Sequence, residues 1–332
     1  MERSLRPFAR SAALRSTRRS SGRSASIRLE REEPSLPQLR FDDRVAVITG
    51  AGRGLGRAYA QLLASRGARV VVNDPGGSLK GEGVDAGPAQ RAAQEIEPEG
   101  GSAIIEAALD HYGRIDILIH NAGIVRAASL KEMTHGDFDA VLDVHLRGAF
   151  HVVRPAFPLM CKAGYGRVVL TSSIGGLYGN HRQANYGMAK AGMIGLSNVV
   201  ALEGAADGVK CNLIVPGAVT RMAEGLDTSA YPPMSPEMVA PVVAWLAHES
   251  CSISGEMLIS IAGRVAKAFL AETRGVYRDA WSVEQVAEQI DAIRTTDAPF
   301  IAAVVPTGHA DHIRYSFEMA ARGGHGPEEK TH

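Results

Sequence analysis

Cysteine is scarce in this chain: Cys161, Cys211 and Cys251 are the only three among 332 residues, and no two of them form a C-x-x-C pair. So odd and scattered a set excludes a disulfide framework and offers no ligand pattern for zinc. No metal is therefore expected, and a reducing compartment fits. Long apolar runs are missing too. None approaches the roughly 18 residues that a bilayer span requires, so no membrane partner is expected. Neither sign of charge predominates, with 36 basic against 36 acidic side chains, and nothing in that balance calls for nucleic acid. What is present is 45% hydrophobic and 22% charged, enough to bury a full core in one large domain or two small ones.

The even balance hides an asymmetry. Residues 1–40 hold ten arginines against four glutamates, with serine throughout and no hydrophobic period. This segment reads as a disordered arm outside the fold, or as a start placed too far upstream. A mitochondrial transit peptide is the alternative to a cytoplasmic location.

From Phe41 the pattern changes. Residues 44–49 (RVAVIT) read as a buried parallel strand running into GAGRGLGRAYAQLLASRG, where Gly50, Gly54 and Gly56 precede a helical period. Glycines in a strand–turn–helix setting let the backbone approach a pyrophosphate seated on the helix N-terminus. A second strand, ARVVVND, ends in Asp74, placed to accept from adenosine ribose hydroxyls. An acid there repels a 2′-phosphate, so NAD is favoured over NADP; capping of the following loop is the alternative role.

Further strands are expected in RIDILIHNAG, RVVLTSS, VKCNLIVPGAV and SGEMLISIAG, alternating with helices, the longest of them FDAVLDVHLRGAFHVVRPAFPLMCKAG. GPAQRAAQEIEPEG and SAIIEAALDHYG also read as helices. Such alternation means an α/β fold, a doubly wound parallel sheet of Rossmann-like type. Asn121, Ala122 and Gly123 fall at the end of a strand, where small residues leave room for a cofactor lying across the sheet. Pro216 and Gly217 are expected in a turn after the fifth strand.

The chemistry is expected between Leu170 and Gly195. Ser173 is followed thirteen positions on by Tyr186, and Lys190 comes four later, one helical turn away on the same face. A tyrosine with a pKa near ~10 is a poor base at neutral pH, and a nearby ammonium favours its phenolate. The Ser173 hydroxyl is placed to meet an alcohol or carbonyl oxygen.

In order, TGAGRGLG, HNAG, the Ser173/Tyr186/Lys190 trio and the Pro216-Gly217 step resemble the short-chain dehydrogenase/reductase family, from about Phe41 to Gly263. Within it, VVNDPGGSLKGEG, DVHLRGAF, SSIGGLYGNHRQANYGMAKAG, TRM and VAPVVAWLAHES are similar to the (3R)-hydroxyacyl-CoA dehydrogenase part of peroxisomal multifunctional enzymes type 2 and its single-domain bacterial relatives. Residues 264–332 continue that likeness as a helical extension and tail, though the terminal KTH is not an S-K-L signal. The resemblance implies oxidation of a 3-hydroxyacyl-CoA, a small-molecule thioester, to the 3-ketoacyl-CoA in fatty-acid β-oxidation. Tyr186 would be the base, Lys190 would lower its pKa and bind the nicotinamide ribose, and Ser173 would orient the reacting oxygen. Cofactor contacts are implied at Gly50, Arg53, Gly54, Leu55, Gly56, Asp74, Asn121, Ala122, Gly123, Tyr186, Lys190, Pro216, Gly217 and Thr220. Homodimers or homotetramers are expected through the long helix and the helix of Tyr186. Another secondary alcohol or a steroid, or a catalytically impaired cofactor-sensing scaffold, are the alternatives.

Two departures bear on these expectations. His145 stands where many members carry asparagine, either serving the proton relay or holding a kinked helix. The family's third strand, at the sheet edge, is missing after Gly101, with roughly a dozen residues absent and weaker cofactor binding the expected cost. Arg126, Arg182, Arg221 and Arg264 either meet CoA phosphates or are solvated surface charges.

Overall fold

The computed structural model describes residues 36–83, 105–223 and 227–322. Short β-branched runs become strands because each is buried on both faces. β1 (Val45–Thr49) is buried along its whole length and leads through the glycine turn into α1 (Gly54–Ser65). β2 (Arg69–Asn73), α2 (Ile105–Tyr112) and β3 (Ile117–His120) follow. Then come α3 (His135–Leu142), α4 (Gly148–Ala163) and β4 (Gly166–Thr171). The stretch where the chemistry is expected forms α5 (Ile174–Tyr178) and α6 (Ala184–Gly204), and β5 (Val209–Gly217) follows. α7 (Ala240–Ala247), β6 (Met257–Ile261), β7 (Arg264–Ala268), α8 (Val283–Ile293) and α9 (Ala310–Ala321) complete the described chain.

The strands form one sheet in the order β2-β1-β3-β4-β5-β6-β7. All neighbours are parallel except β6 and β7. The Rossmann-like fold expected from the alternation is thus present. Successive side chains divide between the two faces, as the strand period demands. Ile48, Ile117 and Ile119 pack with Tyr59 and Leu63 of α1 and Val243 and Leu246 of α7. Val47, Leu118 and Leu170 pack on the other face with Met160 of α4 and Met193 of α6. Two helical layers therefore clamp the sheet, and the C-termini of its parallel strands, β1 to β6, end together along one edge.

Four features differ from the sequence expectations or extend them. The long helix is not uniformly α: between α3 and α4, Asp143–Arg147 make one π turn, with His145 buried on its inner side. The fifth strand does not stop before Pro216-Gly217, which pair with Ser260 and Ile261 of β6. Pro216 is tolerated because β4 ends opposite Ile214, two residues earlier, so the ladder on that side is already over. The segment after Gly263 begins with a strand, not a helix. Ala262 and Gly263, both with positive φ (49° and 78°), turn β6 into antiparallel β7, a hairpin whose two-residue loop has the I′ signature. Residues from Leu39 on form one compact unit, so the expected boundary at Gly263 falls inside the sheet. The helix expected in GPAQRAAQEIEPEG and the missing third strand fall on residues 84–104, outside the described residues. Among the described residues, β2 pairs with β1 alone.

At the opposite end of the sheet, Asp116 fixes the start of β3 against β1. Its buried carboxylate accepts from the Val45 amide at 2.9 Å and from Arg114 Nε and Nη2 at 2.9 and 2.6 Å, with Arg44 Nη1 at 3.5 Å. Losing it strands the buried Val45 amide and takes its partner from the half-exposed Arg114, while Arg44 keeps Glu249 at 2.9 Å, so Asp116→Ala should cost about 1–3 kcal/mol. Urea unfolding with an unchanged m-value is the check; a loss below ~0.5 kcal/mol would contradict this account.

Candidate active site

The C-terminal edge of the sheet carries a cavity of about 340 Å³. Its lining includes Gly50, Arg53, Gly54, Leu55, Asp74, Asn121, Ala122, Gly123 and Thr220, nine of the residues expected there from sequence. The floor is bare backbone, because a Cβ on Gly50 would lie 2.7 Å from Ala122 Cα. Gly56 is not in the wall: a Cβ there would meet Gly50 O at 2.3 Å, so this glycine packs α1 onto the turn beneath. Pro216 and Gly217, in the last two positions of β5, lie outside the lining, as do Tyr186 and Lys190.

Two observations suit the cavity to a dinucleotide. The N-terminus of α1 opens into it with no side-chain cap from Arg53 and no acid in the first turn, leaving amide donors for an anion. Asp74 also lines the cavity, against the glycine turn that leads into α1. Its Oδ2 accepts from Gly52 N at 2.9 Å and its Oδ1 from Gly76 N at 2.7 Å. Loop capping is therefore one of its roles, and each oxygen keeps a further lone pair for a hydroxyl donor.

Ser173, Tyr186 and Lys190 come together beside this cavity. Ser173 caps α5, its Oγ accepting from Gly175 N at 3.1 Å, and it also hydrogen-bonds Tyr186. Tyr186 is half-buried. Its start-of-helix position is fixed by the fully buried Asn185, whose Nδ2 donates to Arg126 O and Asp137 O, both at 3.0 Å, while Oδ1 accepts from Tyr186 N. Lys190 is 3% exposed; its Nζ donates to Thr171 O at 2.7 Å and lies 5.7 Å from the Tyr186 ring centre.

The expected electrostatics are not those of the ligand-free site. Burial pushes the Tyr186 phenol above its ordinary 10, against a smaller downward pull from Ser173. Burial also lowers Lys190 to about 7, so its charge is only partly present at neutral pH. Desolvation outweighs the attraction foreseen from the one-turn spacing, since the ammonium is itself costly where it sits.

His145 is wholly buried, edge-to-face with the Tyr186 ring at 5.2 Å. Its Nε2 lies 2.8 Å from Ile124 O and 3.1 Å from Ile124 N, while Nδ1 has no partner. Burial, then the Lys190 charge, takes its pKa well below 6.5, so the ring is neutral. Of the four arginines considered for CoA, Arg221 lines the cavity and donates to Gly77 O at 3.3 Å. Arg126 bonds Lys80 O at 2.8 Å and Asp137 at 3.3 Å; Arg182 and Arg264 are exposed. Sequence reasoning missed Asn185, Thr171, Thr49 and His120, which act through burial and backbone contacts that spacing does not reveal.

A doubly wound sheet with a glycine turn, an acid after β2 and a Ser/Tyr/Lys cluster beside the cavity defines an oxidoreductase of the NAD(P)-using class. The chain belongs to the short-chain dehydrogenase family, whose model matches residues 44–229. It is 47% identical over 251 residues to peroxisomal multifunctional enzyme type 2 of Drosophila melanogaster, covering 72% of this chain and 42% of that protein. With a peroxisomal hydratase-dehydrogenase-epimerase of Neurospora crassa it shares 39% identity over 315 residues, 89% of this chain and 34% of the other. The chain thus spans less than half the length of these relatives. The structure of the full-length Drosophila melanogaster enzyme superimposes with a TM-score of 0.68 at 36% identity, covering 86% of this chain and 52% of that one. No described helix is long and apolar enough to cross a membrane.

The Lys190 ammonium gives the site a measurable cost. Its folded pKa of about 7 lies below the ordinary 10.5, so the unfolded chain holds the proton more tightly between those values. Stability from this group therefore rises as pH climbs from 7 to 10.5, and the penalty is complete below 7. Lys190→Met should stabilise the ligand-free protein by about 2–4 kcal/mol at pH 6–7 and flatten its rise toward pH 10. Chemical unfolding across that range reads both effects; equal stability of the two proteins at pH 6 would refute the assignment.

Proposed function

We propose that the protein oxidises a 3-hydroxyacyl-CoA to the 3-ketoacyl-CoA with NAD as acceptor. The observation that carries this reading is the buried Tyr186–Lys190 pair with Ser173 beside a cavity whose wall holds Asp74. NAD, when bound, supplies the hydride-accepting ring and a positive charge. The α1 amides and Gly50, Arg53, Gly54 and Leu55 would hold its pyrophosphate, Asp74 its adenosine ribose, and Asn121, Ala122, Gly123 and Thr220 its nicotinamide half. Pro216 and Gly217 support that half from the end of β5.

Tyr186 Oη takes the alcohol proton, and Ser173 Oγ holds the substrate oxygen in line with it. Lys190 would hold the nicotinamide ribose, and its charge there would favour the Tyr186 phenolate. His145, neutral and pinned to Ile124, steadies the face of the Tyr186 ring. The thioester substrate is supported by the likeness to the peroxisomal enzymes, and NAD over NADP by the Asp74 carboxylate. A homodimer or homotetramer through α4 and α6 belongs to the same reading, supported by exposed Phe150, Met188 and Val199.

NADH formation with a (3R)-3-hydroxyacyl-CoA, followed by absorbance, tests the proposal. Oxidation should rise from neutral into alkaline pH, because the base is the deprotonated form of a phenol with a raised pKa. Tyr186→Phe should lose at least about 10³-fold in kcat/KM. Turnover only with another secondary alcohol would move the substrate assignment; cofactor binding without any turnover would support a sensing scaffold. Asp74→Ala should narrow the preference for NAD over NADP by about 10-fold or more, read from the ratio of kcat/KM values.

A further inference from the structure

Behind the cavity floor lies a second histidine, His120, to which the dehydrogenase reading gives no task. It is 2% exposed, at the C-terminal end of β3, paired with Thr49 of β1 on one side and Leu170 of β4 on the other. Its Nδ1 is 3.0 Å from Thr49 Oγ1 and its Nε2 is 3.0 Å from the main-chain oxygen of His145.

The proton positions follow from counting. Thr49 Oγ1 already accepts two amide protons, from Asn121 N and Ala122 N, each at 3.1 Å. A hydroxyl has two lone pairs and one proton, so both lone pairs are used and the proton must go to His120 Nδ1. Nδ1 is therefore an acceptor, and Nε2 carries the ring proton and donates it to His145 O. Only the neutral Nε2–H tautomer satisfies every partner. Burial, with the nearby Lys190 charge, lowers the imidazolium pKa to about 4 and keeps that form. Lys190 and His145 are the titratable groups facing it, and the second is neutral as well.

The two ends of this imidazole hold different parts of the site. Through Thr49, Nδ1 secures the Asn121 and Ala122 amides, which form the cavity floor. Through the His145 carbonyl, Nε2 holds the π turn whose ring stands against Tyr186.

We propose that His120 is a positioning residue, a tautomer-locked brace that sets the cofactor floor with one nitrogen and the π turn beside the catalytic tyrosine with the other. The inference rests on the dehydrogenase reading, and its test separates the two functions. Asn reproduces an acceptor near the Nδ1 position but does not reach His145 O; Gln reproduces a donor near the Nε2 position and offers nothing to Thr49.

Three measurements decide it. In ligand-free protein, ¹⁵N spectra should show His120 with a bare Nδ1 and a protonated Nε2 down to about pH 5. His120→Asn should keep the calorimetric Kd for NAD within about two-fold while kcat falls about ten-fold. His120→Gln should do the reverse, with Kd rising about ten-fold and kcat nearly retained. An Nδ1–H tautomer, or variants whose Kd and kcat change together or not at all, would overturn the brace. If the wild type oxidised no 3-hydroxyacyl-CoA, the substrate reading would fall. Then the tautomer and the two Kd values would still decide the brace, with equal Kd values for Asn and Gln counting against it.

Discussion

Backbone segments packed at contact distance set the geometry on which the site depends. The turn after β1 and the end of β3 meet so closely that a methyl group on Gly50 would overlap Ala122, and one on Gly123 would lie 2.4 Å from His145 Cε1. Removing side chains there does two things at once. It bares amides along the cavity floor, and it lets the π turn nest against the sheet so that His145 bonds Ile124. The same nesting carries α6 inward until Lys190 bonds the main chain of β4. Polar groups brought this deep must find partners or stay uncharged. That rule explains why both histidines are neutral and why the lysine is poised near neutrality.

A Tyr/Lys spacing is not by itself an activated base. Desolvation raises the phenol and lowers the ammonium, so both groups favour their neutral forms. On the proposed reading, activation would come with the bound cofactor, whose cationic ring and ribose hydroxyls would change those surroundings. Burial that disfavours charge on either group limits the cost of an unpaired charge in a low-dielectric interior.

Much of this was legible in the residues. The unbroken apolar character of VAVIT and ILIH marked parallel strands, because strands buried on both faces show no alternation. The Ser173/Tyr186/Lys190 spacing and the glycine turn located the cavity and the reacting cluster. Less legible was whatever depends on tertiary burial. RVAKA reads as a charged, alternating surface segment, and nothing in Ala262-Gly263 has the Asn-Gly signature of a hairpin, so β7 was hidden. The helix from α3 to α4 has a good amphipathic period on both sides of residues 143–147, and a π turn leaves no compositional trace. His120 looked like one letter of a glycine motif; its importance lies in a threonine 71 positions away. The direction of the Tyr186 shift was missed because spacing reports neighbours and says nothing of dielectric.

The π turn also makes this chain sensitive to residue count in an unusual place. Five residues, Asp143–Arg147, occupy the arc that an α-helix fills with about four. Deleting one would restore ordinary winding and leave the helix on either side facing as it does now, so the cost falls on the turn itself. Ala149, Val153, Ala156 and Met160 would still face the sheet, whereas the wide turn that sets the His145 ring against Ile124 and Tyr186 would be gone. A surface loop can lose a residue without losing a buried contact; here the residue lost is one that keeps a buried imidazole in place. Among homologous chains, length changes should therefore gather in the loops and spare this segment even where its side chains vary.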